Sequence, residues 1–365
     1  GSGTVTGLAV GGLPDGTVDD GTLASGIASS KLTGALPAIS AASLTNVPKD
    51  VTVGGRKNIV MNGAFQVWQR GTSFTANGDE FGADRWGIER DNQTVTKEIA
   101  SIGNIRCNSM KMLKTGSGAI TAYHSIEDGT GVSAGGSLFN GKTLTLSYYA
   151  RASGSFDNNG QAWLYYNNNG SSVQVATCTD SLSTSWTKFT HTFTMPTNTQ
   201  TYANVYSLTL SVIRALDGNV GNSDWVEVAQ VQLEESSTAT DFEHRSYGEE
   251  LALCQRYCQV WAEAGDALCV AGKGQGSTAI DFLWPLEVPL RASPTVSQTG
   301  SGWRAFRPTA NLVESSATPT VTRFGGTHPF LGLRSSSYPS SSFTNNYVTN
   351  IGPHGLSQFI FDSEL

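Results

Sequence analysis

Hydrophobic and polar positions alternate with a period of two through the middle of the chain. In TLTLSYYA (143–150) Leu144, Leu146 and Tyr148 fall on one face. QAWLYY (161–166), VQVATCT (173–179), WTKFTHTF (186–193), NVYSLTLSVI (204–213) and WVEVAQVQL (225–233) alternate in the same way, and turn-rich tracts such as FDNNG and NNNGSS separate them. Several half-buried strands broken by frequent turns predict an all-β sandwich over 56–245.

Three other patterns flank this zone. Over 1–55 single hydrophobics (Leu23, Ile27, Leu32, Leu36, Ile39, Leu44, Val47) are scattered among small residues, with neither a helix period nor a long alternation. One copy of such a segment cannot bury enough surface to offset the entropy of ordering it. It is either a linker without order of its own or an intertwined shaft in which three chains share one narrow core. Next comes RSYGEELALCQRYCQVWAE (245–263), where Tyr247, Leu251, Cys254, Cys258 and Trp261 are spaced four, three, four, three. That spacing predicts a helix over 246–265 with a heptad seam. Leu253, Tyr257 and Val260 form a second flank. Glu249 and Glu250 suit the positive start of the helix dipole, and Gly265 suits its stop. Over 266–365 strand-like pieces return (ALCVAG, AIDFLWPLEVPL, PTVTRF, QFIFDSEL) between long Ser/Asn/Gly/Pro tracts. This predicts a smaller β domain with elaborated loops, where recognition tends to reside.

Composition agrees with strands and turns. Only 15% of the 365 residues are charged and 41 are glycine. The net charge of −7 comes without a Lys/Arg-rich run, which argues against a nucleic-acid partner, since phosphate binding needs clustered cations. No apolar stretch approaches the roughly 20 residues of a membrane span, so no membrane insertion is expected. The chain opens Gly-Ser-Gly, without a Met or a signal peptide, and reads as a fragment or a processed product.

Candidate chemistry is sparse. The five cysteines (Cys107, Cys178, Cys254, Cys258, Cys269) are odd in number in a large chain, which favours buried free thiols over a disulfide framework. Cys254 and Cys258 offer only two ligands, with no second pair to complete a tetrahedron. They read as seam residues, or as packing against a neighbouring domain. GGSLFNGKT fits the spacing of a phosphate loop, from Gly136 to Gly141-Lys142-Thr143. It is followed by an alternating strand rather than a helix, so it reads as a turn into that strand. GKGQGS (272–277) lacks a strand–helix context and reads as a loop. The five histidines (His124, His191, His244, His328, His354) have no ligand spacing, and Glu234/Glu235 read as a solvated pair. No metal, no cofactor and no catalytic residues are expected.

NIVMNGAFQVWQRGTSF (58–74), ADRW (83–86) and VAQVQLEESSTATDFEHRSYGEELALCQRYCQ (228–259) resemble a segment common in bacteriophage tail fibres and prophage-encoded fibre proteins. GKTLTLSYYARASG and TSWTKFTHTFTMP are similar to strands of jelly-roll carbohydrate-binding modules, and DGTLASGIASSKLTGALPAIS resembles fibre shaft sequence. The resemblance implies a homotrimeric virion protein: a shaft (1–55), a jelly-roll β-sandwich (56–245), a helical trimer linker (246–265) and a distal β-sandwich head (266–365). The seam Tyr247, Leu251, Cys254, Cys258 and Trp261 would then line the trimer axis. Asn62, Gly63, Phe65, Trp68, Asp84 and Trp86 read as structural. The implied role is attachment of a phage tail to the host surface, through a glycan such as lipopolysaccharide or another receptor, with upstream tail or baseplate proteins as further partners. A purely structural fibre segment and a glycan-cleaving spike are the alternatives. Trp303 and Arg304 (GSGWRAF) with Tyr338 and Tyr347 (SSSYPSSSFTNNYV) are the candidate glycan contacts. Aromatic faces suit sugar C–H groups, and donors suit hydroxyls; the plainer reading is that these rings pack loops against the sandwich.

Overall fold

The computed structural model describes residues 56–364, apart from 77–79, 89–92, 117–118, 128–137, 140, 155, 157–158, 169–170, 197–204, 216–221, 265–269, 276–277, 300–302, 307–311, 315–319, 326–329, 337–347 and 354–355. The shaft expected over 1–55 lies outside the described residues.

Two six-stranded antiparallel sheets carry the first part. One orders β1 (Ser73–Ala76), β4 (Gln93–Ile102), β5 (Ile105–Lys114), β12 (Trp225–Glu234), β7 (Thr143–Ala152) and β10 (Thr187–Thr194). The other orders β2 (Glu80–Phe81), β3 (Trp86–Ile88), β6 (Ile120–Glu127), β11 (Val205–Ala215), β8 (Asn159–Asn168) and β9 (Ser171–Ser181). Within them, β5-β12-β7-β10 faces β6-β11-β8-β9. That is the four-on-four order of a jelly roll. The remaining strands only widen the two sheets, β1 and β4 beyond β5, and β2 and β3 beyond β6.

The alternation in the sequence decides which side chains meet. Leu144, Leu146 and Tyr148 of β7 point into the core, as do Leu208, Leu210 and Val212 of β11. In β12 the inward set changes parity, from Val226 and Val228 to Val231 and Leu233. A register shift against β7 between Ala229 and Gln232 accounts for this. Gln230 sits there at φ +52°, as expected of a bulge that inserts one residue.

The second part is also a sandwich. A three-stranded sheet orders β13 (Cys258–Ala264), β22 (Leu356–Asp362) and β16 (Thr295–Thr299). A seven-stranded sheet orders β18 (Leu312–Glu314), β17 (Trp303–Phe306), β21 (Val348–Pro353), β14 (Val270–Gln275), β15 (Ala279–Pro285), β20 (Phe330–Ser336) and β19 (Thr320–Gly325). Ile280, Phe282, Trp284, Leu331 and Leu333 meet Phe359 and Phe361 in its core. Both sandwiches belong to one compact unit, Thr52–Leu365.

Helix α1 (Tyr247–Gln255) joins the two, capped by Ser246, whose hydroxyl accepts from the Glu249 N–H. It has nine residues, and the helix expected over 246–265 stops at Gln255. Cys258 opens β13, paired in register with Asp362, and Trp261 pairs with Phe359. The proposed trimer-axis residues therefore share no seam. Cys254 and Cys258 are buried within the chain. Trp261 packs edge-on to Trp284 at 5.0 Å in the second core. Tyr247 is exposed and Leu251 is half-buried on the helix.

Candidate functional site: a buried joint and an outer sheet face

The segments that resemble tail-fibre sequence meet in one place. Asn62 adopts φ +53°, a left-handed conformation that asparagine tolerates better than most residues. Its side chain closes the turn. Oδ1 accepts from the N–H groups of Gln66 (2.9 Å) and Val67 (3.0 Å), and Nδ2 donates to the carbonyls of Val67 (2.8 Å) and Asp84 (2.9 Å). At Gly63 a Cβ would stand 2.0 Å from the carbonyl oxygen of Val231. Glycine lets the loop lie directly on β12, and the Val231 N–H donates to the Gly63 carbonyl at 2.9 Å. Phe65 packs on Trp86 with ring centroids 5.0 Å apart. The indole N–H of Trp86 donates to the Asn62 carbonyl (3.1 Å), and that of Trp68 to the Phe65 carbonyl (2.7 Å).

Charged groups fasten this loop to the helix and to the second sandwich. Glu250 accepts from the Asn62 N–H at 2.6 Å and from Arg245 at 3.3 Å. Arg245 also donates to the carbonyls of Asn58 and Val60. Asp84 accepts from the N–H and the side-chain amide of Gln69, and that amide donates on to the Cys258 carbonyl at 2.8 Å. Arg85 lies with its guanidinium 3.5 Å from the centroid of the Tyr257 ring. It donates to the Ser125 carbonyl and to the carboxylate of Glu364. Arg70 holds Asp362 at 2.9 Å and Glu364 at 3.4 Å. Burial pushes the Asp84 carboxyl above its usual range, against the opposing pull of Gln69, Arg70 and Arg85. Burial also raises the thiols of Cys254 and Cys258, which keeps them protonated and poor as nucleophiles.

His124 lies under this joint, edge-on to Trp86 at 5.3 Å, with Nε2 accepting from the Met61 N–H at 3.2 Å. Burial, and then the nearby Arg85, hold its pKa well below the usual value. The ring is therefore neutral when folded, whereas the unfolded chain takes up a proton below about pH 6.5. Stability is full above that pH and falls as pH drops toward the lowered folded pKa, by at most about 1.4 kcal/mol per pH unit. Glu243 acts in a lower window. Burial alone would raise its pKa, but hydrogen bonds from Asn58 and Lys57 and the charge of Arg245 lower it. In denaturation series between about pH 7 and pH 5, His124→Gln should lose less stability than the parent. Equal slopes would remove His124 as the source.

The other sequence candidates are described only in part. Trp303 and Arg304 open β17, opposite Pro353 and Gly352 of β21. Their side chains, and Tyr338 and Tyr347 altogether, lie outside the described residues. Cys107, Cys178, Cys254 and Cys258 are unbridged, the first two only half-buried, and Cys269 lies outside the described residues. The described residues of the phosphate-loop-like stretch, 138–139 and 141–143, turn into a strand. Gly141 sits at φ +68°, the Lys142 N–H donates to the Phe139 carbonyl at 3.0 Å, and Thr143 opens β7. Among the described residues no group of three or more His, Cys, Asp or Glu could hold a metal ion. No helix among them is long and apolar enough to cross a membrane.

The outer face of the first sheet carries a second constellation, which sequence reasoning did not single out. Lys111, Glu227 and Arg151 stand in register across β5, β12 and β7. They have the opposite parity to Met110, Val226 and Ala150, which face the core. The Glu227 side chain is nonetheless only 2% exposed. It accepts from the Ser109 hydroxyl at 2.5 Å and from Arg151 at 2.8 and 2.6 Å. The Arg151 guanidinium lies 4.9 Å from the Trp186 ring and 5.4 Å from that of Trp225, and the Lys111 ammonium lies 4.6 Å from Trp225. Tyr149 and Trp186 pack beside Ala100, Ile102 and Ala229. The signal was present in WVEVAQVQL, where Trp225 shares the parity of Glu227 and not of Val226 and Val228.

No family model matches the chain, and no curated protein matches it. Solved structures give partial likenesses. The enzymatically active domain of tailspike protein 4 from bacteriophage CBA120 is 12% identical over 41% of this chain and 19% of its own, with a TM-score of 0.30. A family 4 carbohydrate-binding module is 17% identical over 48% of this chain and 99% of its own, at 0.29. A cyclase from Fischerella sp. is 14% identical over 51% of this chain and 98% of its own, at 0.34. This chain thus spans about a fifth of the tailspike domain. TM-scores this low carry no argument, and the jelly roll rests on the strand order above.

Proposed function

We propose that the chain is a bacteriophage tail-fibre protein that attaches the virion to the host cell by binding a surface glycan without cleaving it. The observation that supports this reading best is the joint. Three separate stretches that resemble tail-fibre sequence, 58–74, 83–86 and 228–259, converge on one buried network. The resemblance therefore spans a structural unit rather than isolated phrases. On this reading the chain forms a homotrimer through contacts other than the 247–261 seam, connects upstream to tail or baseplate proteins, and acts as part of the virion tail.

The test uses fluorescently labelled protein on a panel of Gram-negative and Gram-positive strains, before and after periodate oxidation of the cells. Labelling of a subset of strains that periodate abolishes is the expected result. Labelling of no strain removes the attachment reading. Labelling that survives periodate and is lost after protease treatment of the cells replaces the glycan with a protein receptor.

A further inference from the structure

We propose that the outer face of the first six-stranded sheet, around Trp225, Trp186, Arg151 and Glu227, is a carbohydrate-contact surface for a pyranose oligosaccharide. This rests on the glycan-binding reading and gives it a location in the jelly roll rather than in the second sandwich. An antiparallel sheet with one solvated face ordinarily alternates hydrophobic-in and polar-out. Here two indoles and a tyrosine occupy outward or flanking positions and are only half-buried. Between them an outward carboxylate is fixed by three hydrogen bonds.

The arrangement fits a sugar better than a protein. Indole faces take the apolar C–H face of a pyranose ring. The Arg151 guanidinium, held beside them by the buried Glu227 carboxylate, donates to ring hydroxyls with little further ordering cost. Protein interfaces clear charge from their centre, whereas here Lys111, Glu227 and Arg151 run in register through the middle of the patch. The exposed apolar pair of the second sandwich, Leu283 (55%) and Phe330 (48%), lies on β15 and β20. It serves as the control surface.

The experiment reads binding of the whole chain to an array of bacterial O-antigen and capsular polysaccharides, then titrates the strongest hit by intrinsic tryptophan fluorescence. Trp225→Ala and Lys111→Ala are compared with Phe330→Ala, each checked by thermal melting. The expected result is a fluorescence change in the parent and a loss of about tenfold or more in affinity for Trp225→Ala. Lys111→Ala should lose a smaller factor, and Phe330→Ala should bind as the parent does. If the parent binds and both Trp225→Ala and Lys111→Ala stay within about twofold, the site assignment is overturned while the glycan reading stands. If Trp225→Ala does not fold, parent-like binding by Lys111→Ala together with no fluorescence change in the parent overturns it equally. If the parent binds nothing on the array, the glycan reading falls and this site with it.

Discussion

Glu364→Ala should cost the described unit about 3–5 kcal/mol, the scale set by removing one partner of a buried ion pair. The Glu364 carboxylate is 4% exposed and lies between two guanidiniums, those of Arg85 (1%) and Arg70 (8%). Without it, Arg85 keeps the Ser125 carbonyl and the Tyr257 ring but has no counter-charge at contact distance. Arg70 keeps Asp362. The cost therefore falls mainly on Arg85, a buried cation left with the Asp84 carboxyl nearby but no ion pair of its own. The loss should be concentrated where the last residues enter the joint. There the Ser363 N–H donates to the Tyr257 carbonyl at 2.7 Å, and Arg291 donates to the Ser363 carbonyl at 3.1 Å. Urea denaturation gives the total, and amide exchange of β22 and β13 gives the location. A change under about 1 kcal/mol would mean that the pair is solvated and the joint looser than described.

Trp86→Ala should cost a similar amount, about 3–5 kcal/mol. The ring is fully buried between Phe65 and His124. Removing it leaves a cavity and takes away one of the two hydrogen bonds accepted by the Asn62 carbonyl, which keeps the Phe65 N–H at 2.9 Å. Trp86→Phe should recover most of the packing but not that hydrogen bond, and so fall between the two. Because Phe65 and Trp86 touch, Phe65→Ala combined with Trp86→Ala should destabilise by less than the sum of the single changes. Thermal melting of the four variants checks this order. A Trp86→Phe protein no more stable than Trp86→Ala would contradict the packing account.

The jelly roll was legible because its strands are long and half-buried. TLTLSYYA and WVEVAQVQL alternate clearly, and they become β7 and β12. The bulge at Gln230 was hidden, since a single inserted residue only flips parity partway along a strand that is apolar on both sides of it. The helix was half legible. Glu249 and Glu250 mark its start correctly, but the run after Gln255 fits a heptad and a strand equally well. Cys258 to Ala264 becomes a strand because β22, nearly a hundred residues later, pairs with it. No local pattern reports that partner. The joint was invisible for the same reason, since Arg85 and Glu364 are 279 residues apart. The residues of the resembling motifs were read as structural, and Asn62, Gly63, Phe65 and Trp86 are placed accordingly. The Lys111–Glu227–Arg151 row was missed because it lies across three strands whose order the sequence does not state.

Glycan binding without cleavage is tested most directly with polysaccharide purified from a strain that the protein labels. The whole chain is titrated with it by calorimetry, and the same mixture is followed for new reducing ends. The expected result is saturable binding with no rise in reducing ends. Absence of binding to a polysaccharide whose strain is labelled, or a steady rise in reducing ends, would contradict it.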